Sequence, residues 1–354
     1  MFKKRTIMAL LIALGIITGG GIYYMHSVHE RDKEEVVTLK VWESEKSMLH
    51  LPLYVAIKEG YFDEQGIKIQ LLNRSNTATQ DPYADNLADI ILTDPVNCLY
   101  RKSVNPSAPL IIAVLAHRDG TFLLAREKEN FTWEGLKDKN IICYPPETGP
   151  GLVMEKIIRD TGMVPMRDLC LYNRIPDELR LGVFKSGSGS YIQLTAAKAI
   201  MAEETGAGHI IARPGEKAGA FPSVLCTVQP EIINNHADAV QGFVNAIYKA
   251  QLWMQHEPDI VTGAVKIYLD ELDKKTRNKI IQYYLKMGMW SPYPQVDVKT
   301  FNDITQLMKT SGQLAVPVTF KGTVNNIFAS QAINTIKYIP KEEREKSWFK
   351  KIIG

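Results

Sequence analysis

The chain has 354 residues, of which 45% are hydrophobic and 23% charged, with a formal net charge of +3. That is the make-up of a folded chain long enough for about two domains, and it excludes a disordered, collagenous or disulfide-dense protein. The near balance of charge, with no basic stripe interleaved with aromatics, excludes a nucleic-acid binder.

The first 36 residues differ from the rest. Lys3, Lys4 and Arg5 precede an uncharged run from Thr6 to Met25. This charged-then-apolar layout is that of a secretory signal or a signal anchor, and the run approaches the roughly 20 residues needed to span a bilayer. Gly19 to Gly21 are small enough for a cleavage site, and no Cys follows the run to carry a lipid. The positive flank stays in the cytoplasm, so the remainder is expected to be exported, either periplasmic or tethered to the membrane through 1–36. Export would permit one or two disulfides among Cys98, Cys143, Cys170 and Cys226, but no two are close in sequence and no metal-binding spacing occurs.

From Val36 the pattern alternates strand and helix. Val36–Trp42 reads as a first strand, followed by a polar loop, Glu43–Ser47. Pro52 suits the first turn of a helix whose apolar face holds Leu53, Tyr54, Ala56 and Ile57. Gly60 suits the left-handed end of that helix, Tyr61 and Phe62 form a two-ring plug, and Ile67, Ile69 and Leu71 alternate as a half-buried strand. Leu87–Thr93 is a short buried strand, and Asp94 after it reads as the cap of a helix through Cys98 and Tyr100. Pro109–His117 is a continuous apolar run, as in a parallel strand covered on both faces. This order predicts an α/β layer with its loops gathered at the strand C-terminal ends.

After the strand Thr121–Arg126 the pattern restarts. Ile141–Tyr144 is a short strand, Pro145–Gly151 (PPETGPG) a turn, and Leu152–Thr161 an amphipathic helix. A Gly-containing turn into a helix leaves backbone N–H groups free for an anion, and Thr148 adds a hydroxyl. Leu169–Asn173 and Tyr191–Leu194 read as strands, Ile175–Val183 and Ala196–Glu204 as helices, and Ile210–Ala212 as a small strand. Phe221–Val228 is a strand returning to the first layer. A long helical region, Pro230–Glu257, follows with a stripe of Val240, Phe243, Ile247, Ala250 and Trp253. Three more helical patterns lie near 260–269, 276–287 and 298–310. No nucleophile elbow, H-E-x-x-H or phosphate-binding loop is present. His50, His117 and His209 are separated without matched spacing and read as core or solvated residues.

Several motifs together resemble one family. Pro52-Leu53-Tyr54-Val55-Ala56, then Gly60-Tyr61-Phe62, Glu64 to Gly66 and an alternating strand resemble the opening of periplasmic-type substrate-binding proteins. The branch is that of sulfonate, nitrate and thiamine-precursor ABC importers. The resemblance continues in Ala88-Asp89-Ile90, Leu136-Lys137-Asp138-Lys139, the turn containing Pro145, Pro146, Thr148 and Gly149, and the long helix ending at Glu257-Pro258. It covers about 36–265. The family's Asp-Ala strand ending and its aromatic-Glu-Pro edge are missing: Ser190 and Tyr191, then Ala196 and Ala197, stand there.

The resemblance implies an α/β, two-lobed type II periplasmic-binding-protein fold with hinge strands. The first lobe is expected at 37–128 and again at 213–354, the second at 129–212. It implies a monomeric, non-enzymatic protein that needs no cofactor and hands a small polar or anionic solute to ABC permease and ATPase subunits. Ser44 and Glu45 after the first strand, Leu51 at a helix start, Asp94 (cap, or carboxylate for a cationic or hydroxylated ligand), Thr148 and Gly149 in the turn, and Gln193 and Thr195 on the far side are the candidate ligand residues. The alternatives are an enzyme of the thiamine-pyrimidine-synthesis type and a sensory or scaffold protein that kept the fold.

Overall fold

The computed structural model describes residues 36–75, 77, 81–83, 87–270 and 272–344. The expected signal or anchor helix lies outside the described residues. Among the described residues no helix is long and apolar enough to cross a membrane. The chain divides into two compact units, Met1–Thr38 and Leu39–Gly354, and nearly everything below belongs to the second.

Two five-stranded sheets form that unit. The first holds β1 (Val37–Trp42), β2 (Ile67–Leu72), β3 (Ile90–Thr93), β4 (Leu110–Ala116) and β10 (Val224–Val228), in the order β2-β1-β3-β10-β4. The second holds β5 (Thr121–Ala125), β6 (Asn140–Ile142), β7 (Cys170–Tyr172), β8 (Tyr191–Thr195) and β9 (His209–Ala212), in the order β7-β6-β8-β5-β9. β1 runs parallel to β3, and β6 runs parallel to β7 and β8. The strands that enter just after each crossing are antiparallel to their neighbours: β5 to β8 and β9, and β10 to β3 and β4. The chain crosses to the second sheet between Ala116 and Thr121, so the strand inside the expected 37–128 segment is already hydrogen-bonded in the second sheet. It returns between Ala212 and Val224.

β4 departs from its sequence expectation. It is the last strand of its sheet, antiparallel to β10, and not a central parallel one; on its other side it has only an isolated parallel bridge, Ile111 to Val324. Its apolar run has another cause: later segments cover both the face and the edge. Gln251 Nε2 donates to the carbonyls of Val114 and Leu115 at 2.9 and 3.1 Å. Val114 N–H and His117 N–H donate to the carbonyls of Pro294 and Met289, each at 2.8 Å. A long apolar edge with free backbone groups is an aggregation hazard, and here it is paired off.

The elements that resemble the family are packed as their periodicity implies. The helix α1 (Leu51–Lys58) ends before Gly60 at φ 73°. Phe62 stacks on Phe243 with ring centroids 5.5 Å apart, and Tyr61 meets the edge of Trp253 at 6.2 Å. The long helical region breaks at His236 (φ −141°), giving Pro230–Asn235 and Ala237–His256. Val240, Phe243, Ile247, Ala250 and Trp253 are all buried along the second piece. All four cysteines are free, and three of them are buried.

The crossing into β5 is held by a buried carboxylate. Asp119 Oδ1 accepts from Thr121 N–H at 2.9 Å and from the Thr121 hydroxyl. Next to it, Tyr284 donates its hydroxyl to the Gly120 carbonyl at 2.8 Å, and a Cβ at Gly120 would lie 2.6 Å from that hydroxyl. Burial pushes the Asp119 carboxyl up to about 6, against the two Thr121 hydrogen bonds. Its folded state therefore holds a proton more tightly than the unfolded chain, and this group's contribution falls as pH rises from about 4 to 6. His117 acts in the opposite sense: burial lowers it to about 4, so its contribution is lost as pH falls below its ordinary value. Asp119→Asn is accordingly expected to stabilise the protein by about 2–3 kcal/mol at pH 7.5, since a tenfold change in acidity is worth about 1.4 kcal/mol, and to lose that advantage over wild type as pH falls from about 6 to 4. Urea melts of both proteins at pH 4.5 and 7.5 check this; parallel pH profiles would sink it.

Candidate functional site

A cavity of about 430 Å³ opens at the C-terminal ends of β1 and β3. Its floor is Trp42, Ile91 and Leu92. Its polar wall comes from the loop after β1 (Ser44, Glu45, Ser47) and from the start of α2 (Pro95–Val104), with Asp94 and Asn97. Pro150, from the helix α3 (Gly149–Asp160) that follows β6 of the second sheet, closes one side. Segments that follow strands of both sheets thus line one space, at the loop-bearing ends of the strands, where α/β folds place ligands. A second cavity of about 340 Å³ shares Glu45 and Ser47 with the first and reaches Asp177, Thr195 and Lys198. A larger depression of about 710 Å³ lies at the opposite end of β4, around Leu110, Lys321 and Asn325. It gathers none of the candidate residues.

The structure distributes the sequence candidates unevenly. Ser44, Glu45 and Asp94 line the first cavity, and Glu45 and Thr195 line the second. Leu51 is fully buried and packs in the core behind the site. Gln193 is also fully buried: its Nε2 donates to Thr121 Oγ1 at 2.8 Å and to the Pro150 carbonyl at 3.1 Å, and its Oε1 accepts from Tyr144 N–H at 3.3 Å. It holds the PPETGPG turn against β5 and β8. Thr148 caps α3, since its hydroxyl accepts from Gly151 N–H at 3.3 Å and donates to the Pro145 carbonyl at 2.7 Å.

Asp94 is a helix cap and something more. Its Oδ1 accepts from Val96 N–H at 2.9 Å and Asn97 N–H at 3.2 Å, which terminates α2 as a short polar residue at this position should. Gly149, at the head of α3, lies against it: a Cβ there would stand 3.4 Å from the Asp94 Cβ and 3.8 Å from its Oδ1. Burial pushes the Asp94 carboxyl up, and the backbone N–H groups of Asn97, Val96 and Gly149 oppose that by stabilising the ionised form.

Sequence reasoning passed over the cationic and aromatic part of the wall. Arg101, one helical turn beyond Asn97, stacks its guanidinium 4.0 Å from the centre of the Tyr83 ring, pairs with Asp81 at 3.2 Å and donates Nε to Asn97 Oδ1 at 3.0 Å. Arg74 and His50 also line the cavity. His50 is set by a buried carboxylate: Glu43, 1% exposed, takes its Oε2 to 2.8 Å from His50 Nδ1 and accepts the Tyr54 hydroxyl at 2.5 Å. Tyr54 in turn stacks on Tyr268 at 4.7 Å. The signal was available in Glu43 and His50 flanking one loop, but matched histidine spacing was the wrong thing to look for: the partner is a carboxylate. Among the described residues no group of three or more His, Cys, Asp or Glu is placed to hold a metal ion.

The sequence profile of the family described as "NMT1/THI5 like" matches residues 47–260. YtlA of Bacillus subtilis (strain 168), which bears the name of a binding protein, is 30% identical over 325 residues, covering 90% of this chain and 97% of its own. Among solved structures, the alkanesulfonate-binding protein SsuA from Xanthomonas axonopodis pv. citri, bound to MOPS, superposes with a TM-score of 0.64 at 13% identity, over 82% of this chain and 98% of its own. The desulfurization enzyme DSZB superposes with the same TM-score at 14% identity, over 84% of this chain and 99% of its own. At such identities the superpositions speak for the fold: two α/β sheets in the arrangement of periplasmic binding proteins. By its matched profile and its full-length relative, the chain is a member of the NMT1/THI5-like family.

Proposed function

We propose that this protein is the extracytoplasmic solute-binding component of an ABC importer, and that its solute occupies the cavity bounded by Ser44, Glu45, Asp94 and Arg101. The observation that carries the reading is the cavity wall itself: Pro150, on the helix that follows β6 of the second sheet, lines the same polar space as Asp94 and Asn97, which follow β3 of the first. Two lobes joined by two crossings, with a site between them, are the means by which such a fold sequesters a solute on closure. The first lobe would comprise the first sheet with the C-terminal helices, the second lobe the second sheet. The sulfonate-binding neighbour supports this use of the fold, and the name of YtlA agrees with it. Permease and ATPase subunits are the partners this role requires, with the N-terminal segment as export signal or anchor. Sulfonates, nitrate-like anions and thiamine-precursor pyrimidines are the solute classes to be screened.

An enzymatic reading takes its support from DSZB, which has the same fold. Against a thiol-based reaction, burial pushes Cys98 and Cys143 up to about 12 and Cys226 higher still, so none of these three is a ready thiolate. A thermal-shift screen decides. One small solute at a hundredfold excess over its dissociation constant is expected to stabilise the protein by about 2.7 kcal/mol and to be recovered unchanged. Chemical conversion of that solute would overturn the reading.

A further inference from the structure

Helix α3 belongs to two cores at once. It follows β6 of the second sheet, and its Met154 and Ile158 pack with Leu123, Ile141 and Tyr191 of that sheet. Leu152, Val153 and Ile157, on the adjoining side of the helix, join a different buried cluster. There they meet Val96 and Leu99 of α2, Val114 of β4, Leu225 of β10 and Met308 of the helix Val298–Thr310. All five α3 side chains are fully buried. Both α2 and the helix Val298–Thr310 lie directly against α3.

A second tie uses another helix, Lys274–Lys286. Just beyond its end it is fastened to the first-sheet side: the Met289 carbonyl accepts from His117 N–H at 2.8 Å, and Trp290 Nε1 donates to the Leu49 carbonyl at 3.3 Å. Along its length it lies on second-sheet elements. The Tyr283 ring meets the edge of Phe122 in β5 at 5.5 Å, and the Arg213 guanidinium sits 4.3 Å from the Tyr283 ring centre. Lys275 and Lys279 pair with Glu204, of the helix Ala196–Glu204, at 2.9 and 3.1 Å.

Exposed ion pairs such as those of Glu204 hold little. Apolar burial decides: baring one Leu, Val or Ile side chain shifts an equilibrium roughly tenfold or more. Parting the sheets would bare three of them on α3, together with the side chains they touch. If α3 stayed with the first sheet instead, Met154 and Ile158 would be bared.

We propose that the two lobes are held together without solute, with α3 serving both cores, so that the cleft is formed before the solute arrives and closes no further on binding. This rests on the reading of the two sheets as lobes around a solute cleft. The empty and the loaded protein then present the same lobe arrangement to a partner, and the distinction between them falls to the solute itself.

The test is a spin-label distance measurement on the full chain. The labels sit at Tyr100→Cys on α2 and Met201→Cys on the helix Ala196–Glu204, both exposed positions, with the half-buried Cys170 replaced by serine. They are attached after urea unfolding and dialysis have removed any carried solute. One narrow distance is expected, that between the two positions in this structure, and Val153→Asp should add a longer one. A longer distance in half or more of the molecules without Val153→Asp overturns the proposal, as does an unchanged distance in Val153→Asp. If circular dichroism shows Val153→Asp unfolded, Ile157→Ala is read by the same criterion. A solute found in the thermal-shift screen should leave the distance where it was, and a shortening overturns the proposal. The first reading needs no solute, so a failed solute screen leaves it readable, and lobes found apart leave the solute-binding reading standing.

Discussion

Replacing Gly151 with alanine is expected to lower the melting temperature by roughly 6–12 °C, from about 3 kcal/mol of overpacking at about 2–4 °C per kcal/mol. The reason is backbone, not side chain. A Cβ at Gly151 would stand 1.9 Å from the Pro145 carbonyl oxygen, 2.4 Å from its carbon and 2.6 Å from the Tyr144 oxygen. These atoms cannot step aside cheaply. The Pro145 oxygen already accepts from Thr148 N–H at 3.0 Å and from the Thr148 hydroxyl at 2.7 Å. Tyr144 N–H donates to Gln193. Moving the turn outward therefore breaks the α3 cap and loosens the wall that carries Pro150. Gly182→Ala is the matched control. Gly182 sits exposed in the helix Asp177–Lys185, a methyl group there would meet nothing within 4 Å, and the substitution should gain about 1 kcal/mol of helix propensity. Calorimetric scans of the two variants should shift in opposite directions; a Gly151→Ala protein that melts with wild type would show that the turn is not built this tightly.

The second large effect is expected at Glu43. Alanine there should cost about 3–5 kcal/mol, the range for breaking a buried pair by removing one partner. Two buried donors, His50 Nδ1 and the Tyr54 hydroxyl, converge on one carboxylate oxygen, and both would be left without an acceptor. Burial and then the Glu43 charge push the Tyr54 phenol far up, so its hydroxyl remains a donor at any working pH and cannot escape the loss by ionising. Tyr54→Phe removes one donor together with its need and should cost only about 1 kcal/mol. Because His50 lines the cavity, Glu43→Gln should weaken solute binding more than it weakens the fold. Urea denaturation of the three variants provides the ranking, and a Glu43→Ala loss below that of Tyr54→Phe would remove the network from its proposed place.

These two expectations show where the sequence is explicit and where it is silent. The helix at Val298–Thr310 is found with both of its predicted bounds, because its hydrogen bonds and its apolar repeat are internal to one segment. The Asp94 cap is legible for the same reason: its partners are two and three residues ahead. The burial of Gln193 and its bonds to Tyr144, Pro150 and Thr121 were not legible, since a Gln in a strand pattern reads the same whether its neighbour is water or another strand. Nor was the antiparallel, edge position of β4, whose apolar run answers to segments more than a hundred residues later.

The elements and the family could be read along the chain, since local periodicity, capping residues and turn glycines act over a few residues and survive any arrangement in space. The make-up of the candidate cavity came from folding alone. Folding brought Asp94, at the end of β3, against Gly149, at the head of the helix that follows β6 of the other sheet. It set Glu43 under His50, and it placed Arg101 and Tyr83 on the cavity wall. Each of these contacts depends for its energy on burial and on distance in space, which no spacing of residues along the sequence specifies.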